Sequence, residues 1–155
     1  AWDRQWHLVS LDGSTMAVAD TEQNERSFGR PGHSRGQSAD PLLRLVSLVE
    51  NGTQVLLGTM LDADHAGEVT WARDVIKHLA PGMLCLADRN FYGFTMWQEA
   101  RQCGADLLWG IKRKMQLPCL QRRSDGSYLA KLYPSWADRR HDTPSAGRSR
   151  PLWTN

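Results

Sequence analysis

No apolar stretch in this 155-residue chain comes near a membrane span: Met83-Leu84-Cys85-Leu86-Ala87, among the longest, falls far short of the ~20 residues a helix needs. An apolar signal-peptide region is lacking too, because Asp3 and Arg4 sit where one would begin. The first residue is Ala1 rather than Met, as in a fragment or a processed product. Cysteine is scarce and odd in number. Cys85, Cys103 and Cys119 have no metal-ligand spacing, so reduced thiols in a cytoplasmic protein are expected, not a disulfide framework or a zinc site. Internal repeats are absent. Acidic residues thin out toward the C-terminal end. Residues 1–110 hold 9 Lys/Arg against 14 Asp/Glu, whereas residues 111–155 hold 10 against 3, and no glutamate follows Glu99. An acidic body with a basic end suits a metal site beside a nucleic-acid contact surface, although a solvated basic tail would look the same.

What is present reads as an α/β chain with a mixed sheet. Leu8–Leu11 predicts a short strand, Asp12-Gly13-Ser14-Thr15 a turn, and Met16-Ala17-Val18 a second short run. Residues 20–41 show no apolar period, and Gly29, Pro31, Gly32 and Gly36 predict a long loop. Two apolar runs, Leu42–Val49 and Thr53–Leu57, flank Glu50-Asn51-Gly52 and predict a hairpin. Val69, Ala72, Ile76 and Leu79 recur at helical spacing from Gly67-Glu68 to Pro81-Gly82. Met83–Ala87 predicts a buried strand, Thr95–Gln102 a helix stopped by Gly104, and Leu107–Ile111 a strand parallel to the previous one. Gln116–Gln121 and Ser127–Leu132 predict a second hairpin around Asp125-Gly126. From Trp136 onward no period survives, and a disordered tail is expected.

A meander, a helix and then a parallel strand is how a ribonuclease H-like sheet begins. In this order Asp12 ends the first strand and Asp88 follows Met83–Ala87, so two carboxylates would converge at the carboxyl ends of neighbouring strands. Carboxylates in that position suit a hard divalent cation. Each has an ordinary alternative: Asp12-Gly13 is a common turn pair, and Asp88 could cap the turn after its strand.

The segment Leu86-Ala87-Asp88-Arg89-Asn90-Phe91-Tyr92-Gly93-Phe94, followed by Trp97, resembles the second-aspartate motif of bacterial insertion-sequence transposases of the DDE type. Gly104-Ala105-Asp106-Leu107-Leu108-Trp109, Lys112, Leu117-Pro118 and Asp125-Gly126-Ser127-Tyr128-Leu129 resemble its continuation in the "insertion sequence four" family. Leu11-Asp12-Gly13-Ser14 resembles that family's first-aspartate motif, and Asn24, Phe28-Gly29-Arg30 and Arg44-Leu45-Val46 extend the likeness over roughly residues 6–135. The resemblance implies a ribonuclease H-like core (1–115), the start of a β-rich insertion (116–135), and a tail (136–155). It implies magnesium or manganese held by Asp12 and Asp88, phosphodiester cleavage and strand transfer, and double-stranded DNA, both transposon ends and target, as partner. A homodimer or association with a full-length transposase is a further partner to expect, with the oligomeric state left open by the sequence. The third ligand of that family, a glutamate in a Tyr–Arg–Glu–Lys signature, has no counterpart after Glu99, so a truncated and catalytically incomplete core is expected. Two further functional classes fit the same residues: an interfering DNA- or transposase-binding fragment, and a decayed reading frame.

Other features have plain readings beside the functional ones. Lys112-Arg113-Lys114 with Arg122-Arg123 would neutralise DNA phosphates, or form a solvated edge. Asp62-Ala63-Asp64-His65 has metal-capable types, but fits a loop leading into a helix N-terminus. Arg30, His33 and Arg35 among glycines match no phosphate-binding motif. Of seven tryptophans, Trp71, Trp97 and Trp109 belong to the core, and Trp2, Trp136 and Trp153 to the edges.

Overall fold

The computed structural model describes residues 1–30, 32–33, 36–37, 40–62, 68–115, 117–135 and 138–139, with 32–33, 36–37, 62 and 68 described by backbone alone. The chain divides into two units, Ala1–Met115 and Gln116–Asn155. The expectations for Ala63-Asp64-His65, Arg35, Trp136, Trp153 and, apart from Asp138 and Arg139, the tail fall outside the described residues.

The first unit is a mixed α/β arrangement. In chain order its elements are β1 (Trp2–Asp3), β2 (Trp6–Ala17), α1 (Glu22–Phe28), β3 (Gly32–His33), β4 (Gly36–Gln37), β5 (Leu42–Glu50) and β6 (Leu56–Asp62). There follow α2 (Glu68–Val75), a 3-10 turn (Ile76–His78), β7 (Met83–Ala87), α3 (Phe94–Gln102) and β8 (Asp106–Trp109). The main sheet has the order β6-β5-β2-β7-β8, with β1 added antiparallel to the start of β2. β2, β5 and β6 form the antiparallel meander, and β7 and β8 are parallel to β2.

β2 corrects the sequence expectation of two short runs separated by a turn. Asp12-Gly13-Ser14-Thr15 continues the strand, because Val9–Ala17 pairs without a break with Glu50–Leu42 of β5. Long-range ladder bonds here override a local turn preference. The β5–β6 hairpin forms as expected, but Thr53-Gln54-Val55 lies in a longer loop instead of the strand. Glu50 organises that loop: its Oε2 accepts from Gly52 N (3.0 Å), Thr53 N (2.5 Å) and Thr53 Oγ1 (2.6 Å), and its Oε1 faces His7 Nε2 at 3.2 Å. Glu50 is buried; the three donors to Oε2 offset part of its desolvation, while Oε1 accepts no hydrogen bond among the described residues.

The core lies between one face of this sheet and α2, the 3-10 turn and α3. Val9, Leu11, Val46, Leu48, Cys85 and Trp109 come from the strands, and Trp71, Ala72, Val75, Ile76, Leu79, Met96 and Ala100 from the helical layer. Val69 is 44% exposed, which corrects its assignment to the inward face; the buried stripe is Trp71, Ala72, Val75, Ile76 and Leu79. Trp97 packs edge-on to Trp109 with ring centroids 5.4 Å apart, while Trp2 is exposed.

α1 corrects the expectation of an unstructured loop. It buries no side chain, so no apolar period betrays it. It stands instead on its ends. Thr21 Oγ1 accepts from Asn24 N (3.2 Å), Glu22 and Glu25 lie in the first turn, and Gly29 ends it at φ 69°. Arg30 closes the segment by pairing with Asp20 and Glu25.

In the second unit, β9 (Cys119–Arg122) and β10 (Tyr128–Ala130) form the expected antiparallel hairpin. Gly126 takes φ 86°, and Asp125 Oδ1 accepts from Ser127 N (2.9 Å) and Oγ (2.7 Å).

Candidate metal centre

Strand pairing decides where the two aspartates fall. β2 and β7 run parallel in register from His7↔Met83 to Leu11↔Ala87. Asp12 and Asp88 are each the next residue beyond that last pair, so the fold sets them at matching positions at the carboxyl end of neighbouring strands. β7 ends there, while β2 continues along β5 to Ala17. Alternation along β2 buries Val9 and Leu11 among the helices and turns Asp12 to the opposite face.

Both carboxylates are exposed, and each has one oxygen engaged locally. Asp12 Oδ1 accepts from Gly13 N at 2.9 Å, and Asp88 Oδ1 accepts from Asn90 N at 2.7 Å. The second oxygen of each has no protein donor among the described residues. The Asp88 turn is closed further by Phe91 N donating to Asp88 O (3.3 Å), with the Phe91 ring buried. Two hard oxygen donors, fixed in direction and open to solvent, fit magnesium or manganese, ions that keep several of their waters. Among the described residues no group of three or more His, Cys, Asp or Glu forms a fuller ligand set.

Sequence reading missed the neighbour of Asp12 on its other side. Ser47 of β5 is the register partner of Asp12, is buried, and lies 3.1 Å from Thr59 Oγ1 of β6. A polar row thus crosses the sheet beside the carboxylates. The single hydroxyl within Leu45-Val46-Ser47-Leu48-Val49 was the available signal. Beneath the site, Cys85 pairs with Val9 at the β2–β7 seam, and burial pushes its thiol up to about 11 despite the Trp109 side chain and Leu11 backbone.

The basic residues fall in both units. Lys112, Arg113 and Lys114 are exposed in a turn closed by Met115 N donating to Lys112 O (2.8 Å), just past the carboxyl end of β8. Since β8 is parallel to β7, that is the end of the sheet where Asp88 lies. Arg122 ends β9 and Arg123 opens its turn, both exposed.

No helix among the described residues is long and apolar enough to cross a membrane. No protein-family model matches the chain. Its sequence is 25% identical to the putative transposase InsZ of Escherichia coli (strain K12) over 108 residues, 67% of this chain and 36% of that protein. It is 22% identical to the transposase InsG for insertion sequence element IS4 of the same strain over 130 residues, 83% of this chain and 29% of that protein. Among solved structures, a chain of the cryo-EM structure of the piggyBac transposase synaptic complex with hairpin DNA superposes with a TM-score of 0.49 and 9% identity, over 71% of this chain and 24% of that one. The chain spans about a third of the length of the curated relatives it matches, 36% and 29%. The resemblance carried by the Asp88 segment is borne out: over most of its length the chain is similar to bacterial insertion-sequence transposases.

Proposed function

We propose that this chain is part of the catalytic core of a DDE-type DNA transposase acting in the cytoplasm, with a ribonuclease H-like core over residues 1–115 and the start of a β-rich insertion over 116–135. The observation that carries the reading is the parallel β2–β7 pairing, which ends where the two motif aspartates begin. Asp12 and Asp88 would hold the divalent cation through their outward oxygens, while the Gly13 and Asn90 amides fix the carboxylate planes. A bound magnesium or manganese ion supplies Lewis acidity for in-line phosphodiester cleavage. Lys112, Arg113 and Lys114, at the same end of the sheet, neutralise DNA phosphates, and Arg122 and Arg123 of the hairpin unit are a second, separate set of phosphate contacts. The family's third acidic ligand has no counterpart after Glu99 in this sequence. On this reading the chain binds the cation and DNA but does not cleave by itself.

The test combines binding and cleavage. Titrating manganese into isotope-labelled protein should broaden the amide signals around Asp12 and Asp88 first, and Asp88→Ala should remove that effect. With transposon-end DNA and magnesium or manganese, neither protein should cut. Broadening that spares both aspartates sinks the metal-centre reading. Cleavage by the native chain but not by Asp88→Ala overturns the incompleteness, and another acidic residue then completes the site. Inactivity of both with DNA binding retained but no manganese broadening at either aspartate favours a fragment that interferes with a full-length enzyme.

A further inference from the structure

We infer that Gly110 is a positioning residue that sets the place of Asp88 beside Asp12. The inference rests on the metal-centre reading above and names a part of it that no motif residue supplies. Gly110 follows directly on β8, and its N–H donates to Ala87 O at 2.9 Å, which extends the β7–β8 ladder one step to the residue before Asp88. Its φ lies outside the left-handed region, so backbone conformation does not call for glycine. Space does. A Cβ at this position would lie 3.1 Å from Arg89 N, 3.6 Å from the Asp88 carbonyl carbon and 3.7 Å from Arg89 Cα.

All three are backbone atoms of the turn that carries the candidate ligand, and a backbone cannot rotate aside as a side chain can. The two strands are not equally free to give way. On the β8 side, Trp109 is buried and held edge-on by Trp97. On the β7 side, Asp88 and Arg89 are exposed, and their turn is held by the Asn90 and Phe91 amides. A methyl group at Gly110 therefore moves the Asp88–Arg89 peptide by a few tenths of an ångström. Asp12 stays in place on β2, paired with Ser47 of β5, so the separation of the two carboxylates changes. A cation shared by two carboxylates is sensitive to that separation, because its oxygen distances are narrowly set.

The experiment compares wild type, Gly110→Ala and Gly93→Ala by manganese titration, amide spectra and thermal unfolding. Gly93 is the residue that caps the start of α3 on the same segment, and a Cβ there meets nothing within 4 Å, so it controls for the loss of a glycine alone. Gly110→Ala should weaken manganese binding roughly tenfold, the lower end of what changes around metal ligands cost. It should also shift the Asn90 amide resonance without metal, while Gly93→Ala keeps wild-type affinity. Equal affinity in wild type and Gly110→Ala overturns the positioning role and leaves the metal centre standing. No binding at the aspartates in wild type removes both. Equal weakening in Gly93→Ala and Gly110→Ala, in step with lowered thermal midpoints, also overturns it, since a general loss of rigidity then accounts for the effect.

Discussion

Cys85 offers a quantitative check on the seam that carries both aspartates. Its thiol is fully buried opposite Val9, and burial raises its ionisation from the ordinary 9.0 to about 11. Below pH 9 the thiol is protonated in both the folded and the unfolded chain, so it contributes no pH dependence. Between pH 9 and 11 the unfolded chain loses this proton and the folded one keeps it. The folded state then binds more protons, and stability falls as pH rises. The step from 9.0 to about 11 corresponds to about 3 kcal/mol well above pH 11, of which about 2 kcal/mol is already expressed at pH 11. Other alkaline titrations complicate the absolute curve, but they are shared with a Cys85→Ala variant, which lacks this group alone. Urea unfolding followed by the fluorescence of the buried tryptophans, at steps from pH 8 to 11, gives the difference between the two proteins. The wild type's advantage should shrink by about 2 kcal/mol across that range. A difference that stays constant would mean the thiol is wet, and the β2–β7 seam would not be packed as described.

In the β5–β6 hairpin, Glu50→Ala strips the loop of the acceptor for three donors and should cost about 2–4 kcal/mol in urea unfolding, whereas Thr53→Val, which removes one of them, costs about 1 kcal/mol; equal losses would mean Glu50 does not organise the loop. Replacing Lys112, Arg113 and Lys114 by Ala should lower affinity for duplex DNA and flatten its salt dependence by about one unit of slope for each phosphate no longer neutralised, with Arg122 and Arg123 tested separately. Fluorescence anisotropy at several salt concentrations measures both, and an unchanged affinity and slope identify a solvated surface.

Much of the sheet was legible because its signals are local. Met83–Ala87 is a strand at the expected bounds, the meander and the parallel crossover follow the expected order, and Asp125-Gly126 turns the second hairpin. α1 was hidden because its stability comes from end contacts and ion pairs, with no buried face to give a period. The continuity of β2 through Asp12-Gly13-Ser14-Thr15 was hidden because it depends on a partner strand about 30 residues away in sequence. The adjacency of Asp12 and Asp88 could be anticipated from strand order. The closeness of Gly110 to the Asp88 turn could not, since steric room is a property of two backbones and leaves no pattern in one sequence.

The overrun of β2 past β7 has a consequence for exchange with solvent. From Val9 to Leu11 the strand has a neighbour on both sides, but from Asp12 to Ala17 only β5 remains among the described residues. Successive residues of a strand aim their N–H and C=O groups alternately to the two sides. Half the peptide groups of that outer stretch therefore face the side where β7 has ended and, apart from the Gly13 N–H held by Asp12 Oδ1, have no strand partner among the described residues, so their deuterium uptake should run ahead of the doubly paired half. Asp12 stands at the boundary between slow- and fast-exchanging halves of one strand, so a ligand clamping it to Asp88 would be visible as protection spreading outward toward Ala17.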